Sequence, residues 1–353
     1  MEEIAHRRLL ILAEGLFGPV TSKTANGALA YLPEQVVAII DSTKAGMTVQ
    51  QILGFGGGIP VVQNLNEGIR YHPTHLLIGI APTGGRLPEE WRRTLRDAIG
   101  WKLSIISGLH TILSDDSELV ALAQRQGIEL IDLRKIPPES EIVARGSWRG
   151  RKANVVLTIG TDCNIGKKTT IIELDKDFKR RGLRSDYIAT GQTGILIRGR
   201  GIAVDSIIGD YIAGSIEREI DRSVDEGYEY ILVEGQGALT HMGYSSVSLG
   251  LLHGTMPDAM VLCHMPARKI DKYGLPLPDL KKVIQFHEEA VKFFKETKVV
   301  AIGLNSIGLT DEESLSIGEQ ITNETGLPAG DAFRFGPQRI SEAVLAYFRT
   351  RTN

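Results

Sequence analysis

The residues richest in chemistry lie mid-chain, where positions 155–170 read Val-Val-Leu-Thr-Ile-Gly-Thr-Asp-Cys-Asn-Ile-Gly-Lys-Lys-Thr-Thr. An apolar run of strand length ends in Gly160. It passes through Thr161, Asp162, Cys163, Asn164 and Ile165, then reaches Gly166 and Lys167 at the start of a helical pattern. Phosphate binding needs this order. Glycines let successive backbone N–H groups turn inward. The helix N-terminus adds positive potential at the same point, and Lys167 delivers a full charge to a phosphate oxygen. Gly160–Thr170 is therefore the expected cofactor-binding element. It departs from G-x-x-x-x-G-K-[ST] in two ways. Gly160 precedes Gly166 by one residue more, and Lys168 stands where Ser or Thr would ligate magnesium. Thr169 and Thr170 come one and two residues late. A second lysine suits an anion that arrives without its own metal, and coenzyme A, with a pyrophosphate and a ribose phosphate, fits that description.

Other candidates follow neighbouring apolar runs. Glu234 closes Tyr230-Ile231-Leu232-Val233 and opens Glu234-Gly235-Gln236-Gly237. In an open parallel sheet, ligands sit at the carboxyl ends of strands. Glu234 could there hold magnesium, orient a substrate ammonium or act as a base, or it could be purely structural. His241, with Tyr244 close behind, is the expected proton acceptor near neutral pH; His253 and His264 are weaker candidates. Gln192 and Thr193, in Thr190-Gly191-Gln192-Thr193-Gly194, are expected to line a pocket together with Gln236, Gly237 and Tyr244. Arg198 could pair with a substrate carboxylate, bidentately if the geometry allows. Cys163 sits where a helix N-terminus could lower a thiol pKa, but its backbone N–H is expected to matter more than its sulfur. No Cys/His spacing suggests zinc, so no metal is expected. Only an ATP-dependent reaction would call for magnesium, on Asp162, Thr169 and Glu234.

These residues need a scaffold, and the apolar pattern supplies one. In the first half, strand-length runs fall at Leu9–Ala13, Val36–Ile40, Leu76–Ile80, Leu103–Ile106 and Glu129–Leu133. In the second they fall at Val155–Ile159, Tyr187–Ala189, Ile231–Val233, Ala259–Cys263 and Val299–Leu304. None alternates cleanly, so each reads as a strand buried on both faces of a parallel sheet. Helical patterns lie between them at Pro88–Gly100, Ser117–Gln126, Lys168–Arg181, Tyr211–Glu226, Asp279–Glu296 and Glu312–Thr325. Strands alternating with helices imply doubly wound α/β folds. The polar stretch Lys135–Arg151 reads as a linker, giving a Rossmann-like domain over 1–145 and a P-loop domain over 146–353. In the first domain, Gly15 and Gly18 follow the first strand and Asp41 ends the second, 26 residues after Gly15. That echoes a dinucleotide fold, where such an acid meets a ribose, although the full glycine fingerprint is absent. Gly54–Gly58 and Pro82–Gly85 add loops near other strand ends, and Ser22, Lys23 and Thr24 could approach a carboxylate or phosphate from a helix start.

Composition sets the outer limits. The 353 residues carry 40 basic and 43 acidic side chains, a net charge of −3, which argues against a nucleic-acid binder. Two cysteines cannot build a disulfide framework, so a reducing cytoplasm is expected. No apolar run approaches membrane-spanning length, and the charged Met1–Arg8 is unlike a signal peptide. Glycine is high, 39 residues, and much of it follows or flanks the expected strands. A homo-oligomer acting on a small amino acid is expected.

Two resemblances add to this reading. The loop spacing resembles the dethiobiotin synthetase group of P-loop enzymes, whose loop reads G-T-D-T-x-V-G-K-T and whose similar E-G-A-G segment binds metal. Taken together, Gly160–Thr170, Val233–Gly237 with His241 and Tyr244, and Leu249–His264 resemble a family of two-domain P-loop proteins. That family was long a domain of unknown function and is associated with D-glutamate N-acetyltransferase activity. The resemblance spans the whole chain. It implies transfer of acetyl from acetyl-CoA to the amine of D-glutamate, with Lys167 and Lys168 on the CoA phosphates and Glu234 or His241 as base. The dethiobiotin synthetase likeness implies the alternative, a ligase or kinase using ATP and magnesium. A non-catalytic nucleotide-binding regulator is a third reading.

Overall fold

The strands assemble because their apolar residues have no solvent-facing alternative. In the computed structural model, which describes residues 6–80, 82 and 84–351, every residue of β1 (Leu9–Leu12) is buried. It pairs in parallel with β2 (Val36–Ile40) and β4 (His75–Ile78). With β3 (Val61–Val62), β5 (Ser104–Ser107) and β6 (Leu130–Asp132) these form a six-stranded sheet in the order β3-β2-β1-β4-β5-β6. That is the strand order of dinucleotide-binding folds. A second six-stranded parallel sheet has the order β12-β11-β10-β7-β9-β8. Its strands are β7 (Asn154–Gly160), β8 (Ser185–Ile188), β9 (Tyr230–Val233), β10 (Ala259–His264), β11 (Lys298–Leu304) and β12 (Ala329–Gly330). The expected pair of parallel α/β folds is borne out, the first Rossmann-like and the second P-loop-like. No helix among the described residues is long and apolar enough to cross a membrane.

The chain divides into two compact units, and the division is not a single cut. The first unit runs through Lys135 and also takes Gly191–Ser206; the second comprises Ile136–Thr190 and everything from Ile207 onward. Helix Gln192–Arg198 belongs to the first unit because Leu196 is buried in that unit's apolar core. Thr193 Oγ1 lies 3.2 Å from Thr24 Oγ1, and Gln192 Oε1 accepts a 2.9 Å bond from buried Arg134.

The stretch expected as a linker is fastened down. Its backbone N–H groups at Arg145 and Ser147 donate to Glu217, on helix Ile212–Asp225. Arg151 pairs with Asp221 on the same helix at 3.0 Å. A polar segment without period is thus ordered by two carboxylates of one helix, Glu217 and Asp221. Six helices among the described residues lie outside the expected helical patterns: Lys23–Tyr31, Val49–Leu53, Leu65–Gly68, Gln192–Arg198, Ser245–Thr255 and Gln338–Arg351. Thr83, in the Pro82–Gly85 loop, lies outside the described residues, as do Met1 to Ala5 of the amino terminus.

Candidate functional site

Strand order explains how the second unit gathers its polar residues. The phosphate loop leaves β7, a central strand flanked by β9 and β10. Residues after β9 and β10 therefore emerge beside the loop. The loop turns through Asn164 at φ 54° and Gly166 at φ 104° before helix Lys167–Arg180 begins. Gly166 is the helix N-cap, in a left-handed conformation that side chains resist.

Lys167 is 6% exposed, and its Nζ donates to the Asp162 carbonyl at 2.7 Å. Its stem lies over Gly235: a Cβ built there would come 3.1 Å from Lys167 Cδ and 1.6 Å from the Thr158 carbonyl oxygen. Only glycine lets the β9 loop approach β7 so closely. Gly235 N in turn donates to Thr158 Oγ1 at 2.9 Å.

Glu234 is buried directly after β9. Its Oε2 accepts from Tyr187 Oη at 2.7 Å and from Thr190 N at 3.2 Å, while Thr190 Oγ1 donates to its carbonyl at 2.6 Å. Gln236 Nε2 donates to the same Thr190 hydroxyl, and the Gln236 carbonyl accepts from Ser248 Oγ. Gly237 turns the chain back at φ 59°.

Asp162 is buried inside the loop. Its Oδ1 accepts from Cys163 N at 2.6 Å, and its Oδ2 accepts from Arg268 Nη1 at 2.8 Å. The same guanidinium nitrogen donates to the Cys163 carbonyl at 2.6 Å. Arg268 escaped sequence reasoning. It lies in an irregular stretch after β10, and the only available signal was that this stretch follows a strand next to the loop.

His241 is 2% exposed. Gly243 N donates to its Nδ1 at 3.2 Å. A backbone N–H can only donate, so Nδ1 is an acceptor and the ring hydrogen lies on Nε2. Nε2 has no hydrogen-bond partner among the described residues and stands 3.9 Å from Asp162 Oδ1. This hydrogen placement runs against the expected role of His241 as proton acceptor, because the nitrogen facing the loop already carries its proton. The ring stacks on Tyr244 with centroids 4.7 Å apart and leans on Tyr273 at 5.4 Å. Lys272 lies over both tyrosines, 4.4 Å and 5.0 Å from their centroids.

The two weaker candidates, His264 and His253, each bond a neighbouring protein group. His264 Nδ1 lies 3.0 Å from Thr161 Oγ1, fixing the start of the loop; burial, helped by the nearby Lys269 charge, pushes its pKa down to about 4. His253 Nε2 bonds the Ala290 carbonyl at 3.0 Å. Thr170 is turned into the sheet, 3.6 Å from the buried Cys263 sulfur. Lys168 and Thr169 are half-buried at the helix start, and Ile165 is buried beneath the loop. The expected pocket residues Gln192, Thr193 and Arg198 lie in the first unit, on helix Gln192–Arg198.

In the first unit, Asp41 is fully buried and does not wait for a ribose. Its carboxylate accepts from Gly15 N at 3.2 Å, Phe17 N at 3.0 Å, Thr43 N at 3.0 Å and Thr43 Oγ1 at 2.6 Å. Burial alone would raise its pKa. The hydrogen bonds from Thr43, Phe17 and Gly15 outweigh that and hold it below the usual carboxylate value. Glu14 similarly receives Ser42 N at 3.0 Å.

Ligand atoms of Asp162, Cys163 and His241 lie within 4.8 Å of one another. Two observations oppose a cation there. Arg268 already pairs with Asp162, and a metal-bound imidazole needs its second nitrogen as a donor, whereas Nδ1 accepts from Gly243. Magnesium on Asp162 fits no better, since it would compete with the same guanidinium. The donors gathered here suit an anion better: Lys167 and Arg268 both reach Asp162 within the loop, and the unpartnered His241 Nε2–H stands beside it.

Known proteins agree with this architecture. Residues 142–341 match the DUF1611_C P-loop domain and residues 42–136 the DUF1611_N Rossmann-like domain, both described as domains of unknown function. The chain belongs to the DUF1611 family. The resemblance drawn from the loop and the Glu234 segment is thereby borne out. A crystal structure of a DUF1611 family protein from Anabaena variabilis superposes with a TM-score of 0.91 at 35% identity, covering 97% of this chain and all of that one. A protein of Tritonibacter scottomollicae named D-glutamate N-acetyltransferase is 38% identical over 276 residues, 77% of this chain and 81% of that protein. One of the same name from a Pseudoalteromonas species is 36% identical over 268 residues, 75% and 79% of the two chains.

Proposed function

We propose that this DUF1611 chain is an N-acetyltransferase that moves acetyl from acetyl-CoA to the amine of D-glutamate or a similar amino acid. The observation that carries the proposal is the pair of relatives bearing that activity's name at 36–38% identity over three-quarters of the chain. The site supports it in two ways. Lys168 replaces the magnesium-binding hydroxyl, and Arg268 holds the loop carboxylate that a metal would want. Both favour an anion free of metal, as CoA phosphates are, over Mg-ATP.

The substrate amine must shed a proton before it can attack. Glu234 suits this step: a carboxylate at a strand end, steadied on one oxygen by Tyr187 and Thr190. The nitrogen then bonds to the acetyl carbon, the carbon–sulfur bond breaks, and the second ammonium proton offsets the charge on the departing thiolate. The first proton stays with the base and is later lost to solvent. Lys167 and the loop N–H groups hold the phosphates and take no part in bond breaking.

The test supplies purified protein with D-glutamate and acetyl-CoA and follows free thiol together with N-acetylglutamate by mass spectrometry. A parallel arm supplies D-glutamate with ATP and follows ADP. Thiol and acetylated product in the first arm are expected. ADP without thiol would overturn the proposal in favour of a ligase or kinase.

A further inference from the structure

Beside the phosphate loop of the second unit stands a buried hydrogen-bond donor to which the acetyl-transfer steps above assign no role. His241 is nine-tenths and more buried, its Nε2 has no hydrogen-bond partner among the described residues, and it stands 3.9 Å from Asp162 Oδ1. A buried N–H left unpaired costs stability, so this donor is open to an acceptor that a ligand brings. Its orientation is fixed from three sides. Gly243 N holds Nδ1, Tyr244 stacks on one face at 4.7 Å, and Tyr273 closes at 5.4 Å. A ring pinned this firmly is suited to a fixed donor.

Arg268 lies on the other side of Asp162, spending one guanidinium nitrogen on Asp162 Oδ2 and the Cys163 carbonyl. Lys167 reaches the Asp162 carbonyl from the helix start. Three donors from three separate segments, after β7, β9 and β10, therefore converge on the loop.

We infer that His241 Nε2–H, with Arg268 and Lys167, forms an oxyanion-binding site at the phosphate loop, and that His241 binds the anion and does not take the substrate's proton. This rests on reading the loop as an anion site and not on which group is transferred. The anion is a phosphate of the cofactor or a carboxylate of an acidic amino acid, and both accept the same N–H.

The test needs no turnover. In protein with nitrogen-15 histidine, long-range proton–nitrogen spectra report which ring nitrogen of His241 carries hydrogen, with His241→Gln supplying the assignment. Calorimetry then measures inorganic pyrophosphate, coenzyme A and D-glutamate on the parent, His241→Gln and His241→Leu. Gln keeps an N–H at the reach of Nε2 but cannot serve as a base; Leu removes the donor. The expected result is an Nε2–H tautomer, near-parental binding by His241→Gln and a loss of about tenfold or more for His241→Leu. A loss confined to pyrophosphate and coenzyme A identifies a phosphate, and one confined to D-glutamate a carboxylate. An Nδ1–H tautomer, or His241→Leu binding all three as the parent does, overturns the inference. Should His241→Leu fail to fold, the tautomer and the Gln variant decide. If the protein acetylates nothing yet these results hold, the acetyltransferase reading fails and this one stands.

Discussion

Lys167→Met removes a charge while keeping most of a buried shape. The lysine stem is packed where a Cβ on Gly235 would lie 3.1 Å from its Cδ, and Met can fill that space. Two interactions are lost. One is the 2.7 Å bond from Nζ to the Asp162 carbonyl, worth about 1 kcal/mol of stability. For a chain of this size that lowers the melting temperature by about 1–2 °C. The other is the contact with the bound anion. Hydrogen bonds to charged groups are worth about 1.5–3 kcal/mol, and each 1.4 kcal/mol is about tenfold in affinity. The dissociation constant for coenzyme A should therefore rise by about 10- to 100-fold. Titration calorimetry at low and moderate salt measures this, with thermal melting as the control for folding. The parent's affinity should also fall more steeply with salt than the variant's, since a Coulombic contact is screened. If Lys167→Met melts as expected but binds coenzyme A as tightly as the parent, the anion does not sit at this loop and the site assignment fails.

Asp41→Asn places an amide where the carboxylate now receives three backbone N–H groups, a hydroxyl and the Lys44 ammonium, so stability should drop by about 1–3 kcal/mol with coenzyme A affinity unchanged. Because folding lowers the Asp41 pKa, its contribution is fully present above the unfolded carboxylate value and is lost as pH falls through the folded one. The variant's acid unfolding should accordingly be shallower; a steeper acid limb in Asp41→Asn than in the parent would contradict this. Gly235→Ala forces a Cβ to within 1.6 Å of the Thr158 carbonyl. The β9 loop must shift, and both turnover and anion binding should collapse in a protein destabilised by about 1–3 kcal/mol. Glu234→Gln retains a side chain that Tyr187 and Thr190 can still bond but cannot accept the ammonium proton, so turnover should fall by about a hundredfold or more. A rate within a few-fold of the parent would place the base elsewhere.

What the sequence revealed and what it concealed have physical causes. Strands buried on both faces are short apolar runs, and β2 is legible to the residue, Val36–Ile40. The phosphate loop was legible because its strand, glycines, lysine and helix start are contiguous. Arg268 was not, because its role depends on a β10 loop folding back across the sheet edge onto Asp162. Asp41 shows a different limit. A carboxylate after the second strand reads alike whether it meets a ribose or the chain's own N–H groups, and only its hydrogen bonds distinguish the two. His241 was visible as a residue, while its ring hydrogen depends on Gly243, two residues on.

The excursion of residues Gly191–Ser206 into the first unit changes how the protein must be made. During synthesis, domains usually fold as they emerge, amino-terminal first. Here the amino-terminal unit lacks Leu196 in its core and Thr193 beside Thr24 until the β7 and β8 strands of its successor have also left the ribosome. Its folding is therefore delayed past the synthesis of two of the second unit's six strands, and a fragment ending at residue 145 would present an apolar gap to solvent. The two units have separate sheets but not separate folding histories. Any attempt to express the Rossmann-like half alone would have to graft helix Gln192–Arg198 back onto it.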